Sequence, residues 1–429
     1  MASWIEKDNA HVWHPFTQMK TAPIPLEVVS AKDTCFYTAT GEKYIDINSS
    51  WWVNVHGHSN AYIGKALSEQ FSKIDHTIFA DATHHKAIEL AERVCQKLPE
   101  TFQKVFFSDN GSTAVEVALK MVVQYWYNQG INKPKVLALD GAYHGDTFGA
   151  MSVGQRGGFN TPFEPYFFDV DFLDFPTVEN EQLVLEDARL KMESGEVGCL
   201  IIEPLVQGSA GMRMYRAEWL DALVRLAKSF DVKVIFDEVM TGWGRTGKLF
   251  ALNHCKEVPD IVCLSKGLTG GTLPLGLTVA TTEIYNAFLS DKKANALLHG
   301  HSFTGNSLAC ACACASLDLF EQQQTWEGVQ RIEHWNQQLV QKLKIHPAIF
   351  NIRMTGTILA IELKQQEGSS YYSVIRDEIV AHFLQNGIFI RPLGNVFFFN
   401  PPYCISDEEL QQVEEVTIRF LEKITQTTH

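Results

Sequence analysis

The chain has 429 residues, enough for one large domain and a smaller one, and its 45% hydrophobic and 20% charged residues are ordinary for a globular enzyme. A net charge of −14 without a basic stripe argues against nucleic acid as the main partner. No apolar run reaches membrane-spanning length and no signal-peptide core follows Met1, so we expect a cytoplasmic protein with reduced thiols among its nine cysteines.

Strand and helix patterns alternate along the middle of the chain, from about Gly57 to Ala315. This alternation predicts an α/β fold with a mainly parallel sheet and helices on both faces. We expect a large domain over 49–315 and a smaller α+β domain formed by 1–48 and 316–429. The predicted strands are Leu26–Ser30, Thr34–Tyr37, Lys43–Asp46, Lys104–Ser108, Lys135–Asp140, Cys199–Glu203, Lys233–Asp237, Ile261–Ser265, Gly276–Thr281, Arg353–Glu362, Gly387–Pro392 and Val396–Asn400.

A glycine-containing turn follows the strand predicted at Lys104–Ser108. Asn110-Gly111-Ser112-Thr113 leads from that strand into Ala114–Tyr127, which has helical apolar spacing. A turn of this kind aims backbone N–H groups and hydroxyls at an anion, so Gly111 and Ser112 are candidate phosphate ligands. An ordinary capped helix is the alternative interpretation, and it is the commoner meaning of such a sequence.

Two later strands end in a carboxylate and in a lysine. One apolar run ends in Asp237-Glu238, and the next ends in Lys266 between small residues. Ligands of open α/β sheets lie at the carboxyl ends of the strands. Pyridoxal phosphate needs a lysine amine for a Schiff base and a carboxylate beside its ring nitrogen, and this pair with the phosphate turn predicts that cofactor. A buried Asp–Lys ion pair is the alternative for the two residues alone.

Other motifs favour a structural interpretation. Gly242–Gly247 matches the dinucleotide fingerprint, but a tryptophan separates its first two glycines and a weak helix start follows. We expect this turn to shape a pocket wall and to present Arg245. The alternating cysteines of 310–314 do not share one helix face, and neither they nor His56-Gly57-His58 and His84-His85 suggest a metal site.

Longer motifs identify a family resemblance that covers nearly the whole chain. Phe236-Asp237-Glu238-Val239, Gly242–Gly247 and Ser265-Lys266-Gly267 resemble the class III pyridoxal-phosphate aminotransferases of fold type I. The resemblance implies a seven-stranded sheet in the large domain, pyridoxal phosphate as cofactor, and a homodimer whose active sites lie at the interface.

A narrower resemblance within this family concerns the substrates. Ser49-Ser50-Trp51-Trp52, the segment 143–152 and Arg391-Pro392-Leu393-Gly394 are similar to members that aminate 8-amino-7-oxononanoate in biotin biosynthesis. Those members take the amino group from S-adenosylmethionine in a ping-pong reaction. The resemblance therefore implies S-adenosylmethionine and 8-amino-7-oxononanoate as small-molecule substrates.

The family resemblance also implies which residues contact the cofactor. Lys266 would form the Schiff base and then move the substrate proton as acid and base. Asp237 would pair with the ring nitrogen, and Tyr143 would stack on the ring and complete the catalytic group. Ser302 would reach a phosphate across the dimer interface. The implied cofactor residues are Gly111, Ser112, Tyr143, Glu203, Asp237, Lys266 and Ser302.

Substrate contacts are implied in the same way. Arg391 would bind the terminal carboxylate of the oxononanoate with its guanidinium, and Asp146 would meet the amino group of the donor. Adjacent tryptophans on a strand point to opposite faces, so we expect only one to line the slot, and the resemblance favours Trp51. The implied substrate residues are Phe16, Trp51, Trp52, Asp146, Arg245, Gly300 and Arg391.

Alternative functions stay open at this point. Members that use S-adenosylmethionine have a tyrosine at the place of Phe16 and a Gly-Pro-Thr version of the loop His299-Gly300-His301-Ser302, so lysine is an alternative donor. An ω-amino-acid or diamine:pyruvate aminotransferase is a second hypothesis, although Ser209 replaces the glutamate typical of ornithine and γ-aminobutyrate enzymes. A binding protein without catalysis and a dehydrogenase using Gly242–Gly247 are hypotheses from other classes.

Overall fold

The computed structural model describes residues 3–364 and 375–427. Within these ranges no helix is both long and apolar enough to cross a membrane. The strands β1 to β16, in chain order, are Val28–Lys32, Cys35–Thr38, Lys43–Asp46, Phe102–Ser108, Lys135–Leu139, Val170–Leu173, Val197–Ile202, Val206–Gln207, Arg213–Met214, Lys233–Asp237, Ile261–Leu264, Gly276–Thr281, Ile349–Thr355, Ile358–Leu363, Ile388–Phe389 and Val396–Phe399. The helices α1 to α13 are Trp4–His11, Ser49–Trp52, Ala61–Phe71, His85–Lys97, Gly111–Asn128, Phe148–Ser152, Glu181–Glu193, Ala217–Ser229, Thr282–Asn286, Ser307–Phe320, Gln323–Leu343, Ile375–Gln385 and Asp407–Thr427.

A seven-stranded sheet forms the centre of the molecule, with strand order β4-β12-β11-β10-β7-β5-β6. Neighbours are parallel from β11 through β10, β7 and β5 to β6, whereas β12 runs antiparallel to both β11 and β4. The α/β fold and its mainly parallel sheet, predicted from the alternation of patterns, are confirmed. One strand of this sheet was not predicted: Val170–Leu173 lies at the sheet edge, and Asp171 interrupts its apolar pattern.

The central strands are continuous apolar runs because helices cover both faces of the sheet. Every residue of β7, β10, β11 and β12 is buried. Helix α5 lies against β11 and β12 and buries the apolar stripe predicted for Ala114–Tyr127. Near its end, Trp126 Nε1 donates a hydrogen bond of 2.9 Å to the Gly198 carbonyl, which ties the helix to the start of β7.

Two smaller sheets combine the ends of the chain. The order β1-β2-β3-β15 joins amino-terminal strands to a strand near residue 388, and β13-β14-β16 forms a three-stranded sheet. The prediction of one strand over Arg353–Glu362 is wrong, because the chain turns back at Gly356 with φ of 52°. A Cβ atom there would collide with the backbone of Thr246 and Gly247, so glycine is required. The apolar pattern continues through this hairpin and does not reveal the turn.

The two adjacent tryptophans do not lie on a strand, which corrects the prediction from their spacing. They close the short turn Ser49–Trp52, called here the tryptophan turn, which carries positive φ values at Ser49 (50°), Ser50 (59°) and Trp52 (67°). Side chains hold the turn to the end of β16: Asn48 Nδ2 donates to Phe398 O (2.8 Å) and Ser49 Oγ to Asn400 O (2.9 Å). Local sequence patterns do not encode a conformation that depends on these distant contacts.

Candidate active site

A cavity of about 340 Å³ opens at the carboxyl ends of the central strands, where the sequence places its chemical groups. It lies between the start of α5 and the lysine that follows β11, and its floor is formed by acidic residues that end β7 and β10. Several residues predicted to contact a cofactor line it, together with one of the two tryptophans. These lining residues are Trp52, Gly111, Ser112, Tyr143, Glu203, Asp237 and Lys266.

Lys266 begins a short 3₁₀ turn, Lys266–Thr269, and its own φ is 46°. This left-handed backbone turns the side chain back over the strand ends, and Nζ lies 4.6 Å from the centre of the Trp52 ring. Burial lowers the pKa of the amine to about 8, although the nearby Asp237 and Glu203 carboxylates act in the opposite direction. About a tenth of the amine is therefore neutral and nucleophilic at pH 7, far more than in an ordinary lysine.

The lowered pKa of Lys266 predicts unusual reactivity in the protein without cofactor. Labelling by an amine-selective acylating reagent follows the neutral fraction, so it should rise through half-maximum near pH 8. An ordinary lysine reaches that point above about pH 10. Mass spectrometry of the peptide that contains Lys266 measures the rate, and the variant Lys266→Arg identifies the signal. A midpoint above pH 10 would contradict the role that we assign to burial.

Asp237 is buried at the end of β10, and both of its oxygens are oriented. Oδ1 accepts from the Val239 N–H at 3.0 Å, and Oδ2 lies 2.7 Å from His144 Nδ1, which donates to it. His144 Nε2 has no hydrogen-bond partner among the described residues. The sequence patterns assign no role to His144, because its place beside Asp237 depends on a contact between residues far apart in sequence. The pair presents a fixed carboxylate to the cavity.

Glu203 supports the wall of the cavity from the end of β7. Its oxygens accept hydrogen bonds of 3.0 Å from the backbone N–H groups of Tyr143 and Gly208. Burial raises the pKa of Glu203 to about 7, despite the opposing effect of His144. The Tyr143 hydroxyl donates to Asp146 Oδ2 at 3.0 Å, and burial followed by the Asp146 charge raises the tyrosine pKa.

The start of α5 lines the other end of the cavity and could hold an anion there. Asn110 caps the helix, because its Oδ1 accepts from the Thr113 N–H at 3.0 Å while its own N–H donates to Thr113 Oγ1. The first N–H groups of a helix lack intrahelical acceptors, and its dipole adds partial positive charge there. A Cβ atom at Gly111 would come within 2.6 Å of the Val239 side chain, so this close approach requires glycine.

These groups fit the cofactor predicted from the sequence. An anion site, a buried carboxylate and a lysine amine with a lowered pKa line one cavity. Pyridoxal phosphate presents a phosphate, a ring nitrogen and an aldehyde, which match these three groups in charge and reactivity. The nearby Tyr143 side chain offers an aromatic face for a flat ring.

Arg391 and two aromatic residues form a second group beside the cavity. The Trp51 ring lies 5.5 Å from the Phe16 ring, and the Arg391 guanidinium carbon lies 4.6 Å from the Trp51 ring centre. Arg391 N donates to Asn48 Oδ1 at 2.7 Å, so the arginine is fixed to the base of the tryptophan turn. Trp52, rather than Trp51, lines the cavity itself, whereas Trp51 is 40% exposed.

Arg245 does not contact the cavity, which corrects its prediction as a substrate ligand. Its side chain is 1% exposed, and the guanidinium donates to the carbonyls of Asn400 (2.8 Å), Pro401 (2.9 Å) and Trp52 (3.3 Å). Trp243, in the same turn Gly242–Gly247, is also buried, which shows that this turn packs into the interior of the protein. Arg245 therefore holds the pocket wall from behind.

The loop that contains Gly300 and Ser302 lies outside the cavity of the single chain. Both residues are exposed, and Ser302 O accepts a hydrogen bond of 2.6 Å from His76 Nε2. Asp146, predicted to meet the donor, is also exposed, and its Oδ2 is engaged by the Tyr143 hydroxyl. The single chain thus collects the predicted cofactor residues other than Ser302 around one cavity.

Comparisons with known proteins agree with this geometry. The family model "Aminotransferase class-III" matches residues 16–421. The adenosylmethionine-8-amino-7-oxononanoate aminotransferase of Synechococcus elongatus is 46% identical over 97% of this chain and 99% of its own length. The enzyme of the same name from Staphylococcus aureus is 36% identical, with coverage of 96% and 95%.

Solved structures show the same fold. The adenosylmethionine-8-amino-7-oxononanoate aminotransferase of Methanocaldococcus jannaschii superposes with a TM-score of 0.92 at 35% identity, over 97% of this chain and 98% of that one. An omega transaminase from Pseudomonas jessenii superposes with a TM-score of 0.91 at 24% identity, over 99% of both chains. The latter likeness concerns the fold alone.

Proposed function

Because the chain belongs to the class III aminotransferases, we propose that it transfers an amino group from S-adenosylmethionine to 8-amino-7-oxononanoate and so makes 7,8-diaminononanoate in biotin biosynthesis. The observation that carries this proposal is the position of Arg391 beside the tryptophan turn, next to a cavity that contains Lys266 and Asp237. An acceptor with a long apolar chain and a terminal carboxylate needs both an aromatic wall and a guanidinium.

We propose pyridoxal phosphate as the cofactor, held by Gly111 and Ser112 at its phosphate, by Lys266 at its aldehyde and by Asp237 at its ring nitrogen. When bound, it supplies an electron-accepting ring that stabilises negative charge on the substrate carbon. Lys266 moves the proton to and from that carbon, since burial lowers its pKa to about 8 and so lets the amine both give and take a proton near neutral pH. His144 keeps the Asp237 carboxylate oriented for this purpose.

The reaction proceeds in two stages, with the donor first and the acceptor second. Both substrates use one cavity, so its wall has to accept a nucleoside and a fatty-acid-like chain in turn. The Phe16 ring packs by its edge on Trp51 and has no hydroxyl to offer, and this favours lysine as the second candidate donor.

A homodimer completes the site in this proposal. The exposed loop with Gly300 and Ser302 would reach the phosphate of the partner subunit, and His76 holds this loop through the Ser302 carbonyl. Sedimentation or light scattering should report a dimer. A variant Ser302→Ala should release the cofactor faster than the parent protein does.

The proposed function is tested by single-turnover spectroscopy. Protein loaded with pyridoxal phosphate is mixed with S-adenosylmethionine, or separately with lysine, without acceptor. Loss of the bound-cofactor absorbance with S-adenosylmethionine, and its recovery on addition of 8-amino-7-oxononanoate, supports donor, acceptor and order together. Loss of this absorbance with lysine but not with S-adenosylmethionine identifies lysine as the donor. An unchanged absorbance with both compounds contradicts the proposal and favours an ω-amino-acid substrate.

Replacing Arg391 with alanine tests the carboxylate clamp. The variant loses charge-assisted hydrogen bonds worth about 1.5–3 kcal/mol, so the Michaelis constant for the oxononanoate should rise by about 10- to 100-fold. The donor half-reaction should change little, because the donor does not need this clamp. Steady-state kinetics and the donor-only spectrum measure the two effects. Arg225→Ala, which removes only a surface ion pair with Glu257, is the control, and equal damage to both half-reactions would contradict the clamp.

A further inference from the structure

We propose that Asp46 and His58 form a buried ion pair that positions the tryptophan turn against the turn that carries Lys266. The pair does not line the cavity, so it acts through the tryptophans rather than on the substrate. This inference rests on the proposed function, since it concerns how the acceptor slot keeps its shape. It also gives a role to the His56-Gly57-His58 motif, for which the sequence suggests no metal site.

The tryptophan turn needs external support because its backbone is strained. Ser50 has φ of 59° and ψ of −98°, outside the ordinary basins of a residue with a side chain. Ser49 directly before it and Trp52 two residues after it also have positive φ. A conformation of this kind persists only where the surroundings determine it, and such places cluster at binding sites.

Asp46 supplies the main support from the end of β3. Its side chain is fully buried, and Oδ2 accepts from the Ser50 N–H at 2.5 Å. The same oxygen lies 2.8 Å from His58 Nε2. The carboxylate therefore holds the most strained residue of the turn directly, and His58 holds the carboxylate.

His58 connects this support to the lysine turn through Asn54. With its amide oxygen facing the imidazole, Asn54 accepts from His58 Nδ1 at 2.8 Å and donates to the Gly57 and Gly270 carbonyls at 2.9 and 3.2 Å. The opposite amide orientation would set the oxygen against two carbonyl oxygens. Gly270 ends the 3₁₀ turn that Lys266 begins, so the chain of contacts joins both turns.

The hydrogen bonds of His58 indicate that its contact with Asp46 is an ion pair. In this arrangement both ring nitrogens of His58 donate, one to a carboxylate and one to an amide oxygen, so the ring carries two protons. His58 is only 8% exposed, and its positive charge is balanced by the fully buried Asp46. Removing one partner leaves an uncompensated buried charge, whereas removing both charges does not.

Variants separate positioning from general stability. Asp46→Asn and His58→Gln should each raise the Michaelis constant for 8-amino-7-oxononanoate by about 10-fold or more, as expected for the loss of an oriented charged hydrogen bond. The value of kcat and the retention of cofactor should change by less than about threefold, because Asp237 keeps its contacts with His144 and Val239, and Ser265 still anchors the lysine turn to the Leu275 carbonyl. His382→Gln is the matched control: this half-buried histidine contacts the Val416 carbonyl and neither of the two turns, so its loss should lower thermal stability alone.

The double variant Asp46→Asn/His58→Gln tests the charge. Its melting temperature should exceed that of either single variant, since no buried charge is left unpaired. Additive losses would overturn the ion pair. If a single variant does not fold, Asn54→Ala breaks the last link with less disturbance and should still raise the Michaelis constant. Wild-type activity with unchanged Michaelis constants in folded variants would overturn the positioning role, whereas inactivity of the wild type would instead refute the proposed function.

Discussion

Replacing Lys266 with alanine is expected to lower kcat by about 10⁴-fold, because one side chain provides both the covalent attachment and the proton transfer. The amine lies over the Trp52 ring with a pKa lowered by burial to about 8. A water molecule entering the vacated space has neither its basicity nor its position. Stability should change little or even increase, since a desolvated amine is removed from the core.

Rapid-quench turnover and borohydride reduction followed by mass spectrometry measure this effect. The parent protein should carry the cofactor covalently at Lys266 after reduction, and the variant should not. Lys233→Ala is the matched control, because Lys233 is a buried lysine at the opposite end of the strands, where it pairs with Glu283. The control should lose stability and keep its turnover. Retention of turnover within tenfold in Lys266→Ala would remove the lysine from the mechanism.

Replacing Asp237 with asparagine is expected to lower kcat by about 10²- to 10³-fold, the usual cost of removing one preorganised electrostatic group. Asparagine keeps the shape of the aspartate side chain, and its amide oxygen can still accept a hydrogen bond from the Val239 N–H. It loses the negative charge that a protonated ring nitrogen requires, and it no longer matches the His144 donor. The damage should therefore appear in both half-reactions, unlike that of Arg391→Ala.

Half-reaction rates with each substrate, followed separately, distinguish these two patterns. Asp260→Asn provides a matched control at the other end of the same strand, where the Asp260 carboxylate accepts from the Val234 N–H at 2.7 Å. That variant should be less stable without a change in either half-reaction rate. A selective effect of Asp237→Asn on one substrate would contradict a role at the cofactor.

The part of the site that follows from strand ends could be predicted from sequence. Asp237 and Lys266 end continuous apolar runs, and Gly111 opens a helix directly after a strand. Parallel strands bring their carboxyl ends to the same edge of the sheet. These residues therefore lie close together regardless of the conformation of the loops. The same reasoning identified Glu203 as a strand-end residue.

Residues placed by tertiary contacts could not be predicted in this way. Trp52 reaches the cavity only because the turn is held in a left-handed backbone by distant groups, and Arg245 points away because it finds backbone carbonyls near residue 400. Period-two alternation was the wrong rule for the tryptophans. The role of His144 depends on its contact with Asp237, and these two residues lie far apart in sequence.

The antiparallel strand β12 between β4 and β11 acts as a spacer in the central sheet. Hydrogen-bonded strands lie about 4.8 Å apart, so this insertion sets the phosphate turn after β4 and the lysine after β11 about 10 Å from each other. A sheet without it would halve the distance. This spacing suits a ligand whose anionic group and reactive carbon lie two strand widths apart. A shorter aldehyde that reaches the lysine gains no contact with the start of α5, so it should be held less tightly.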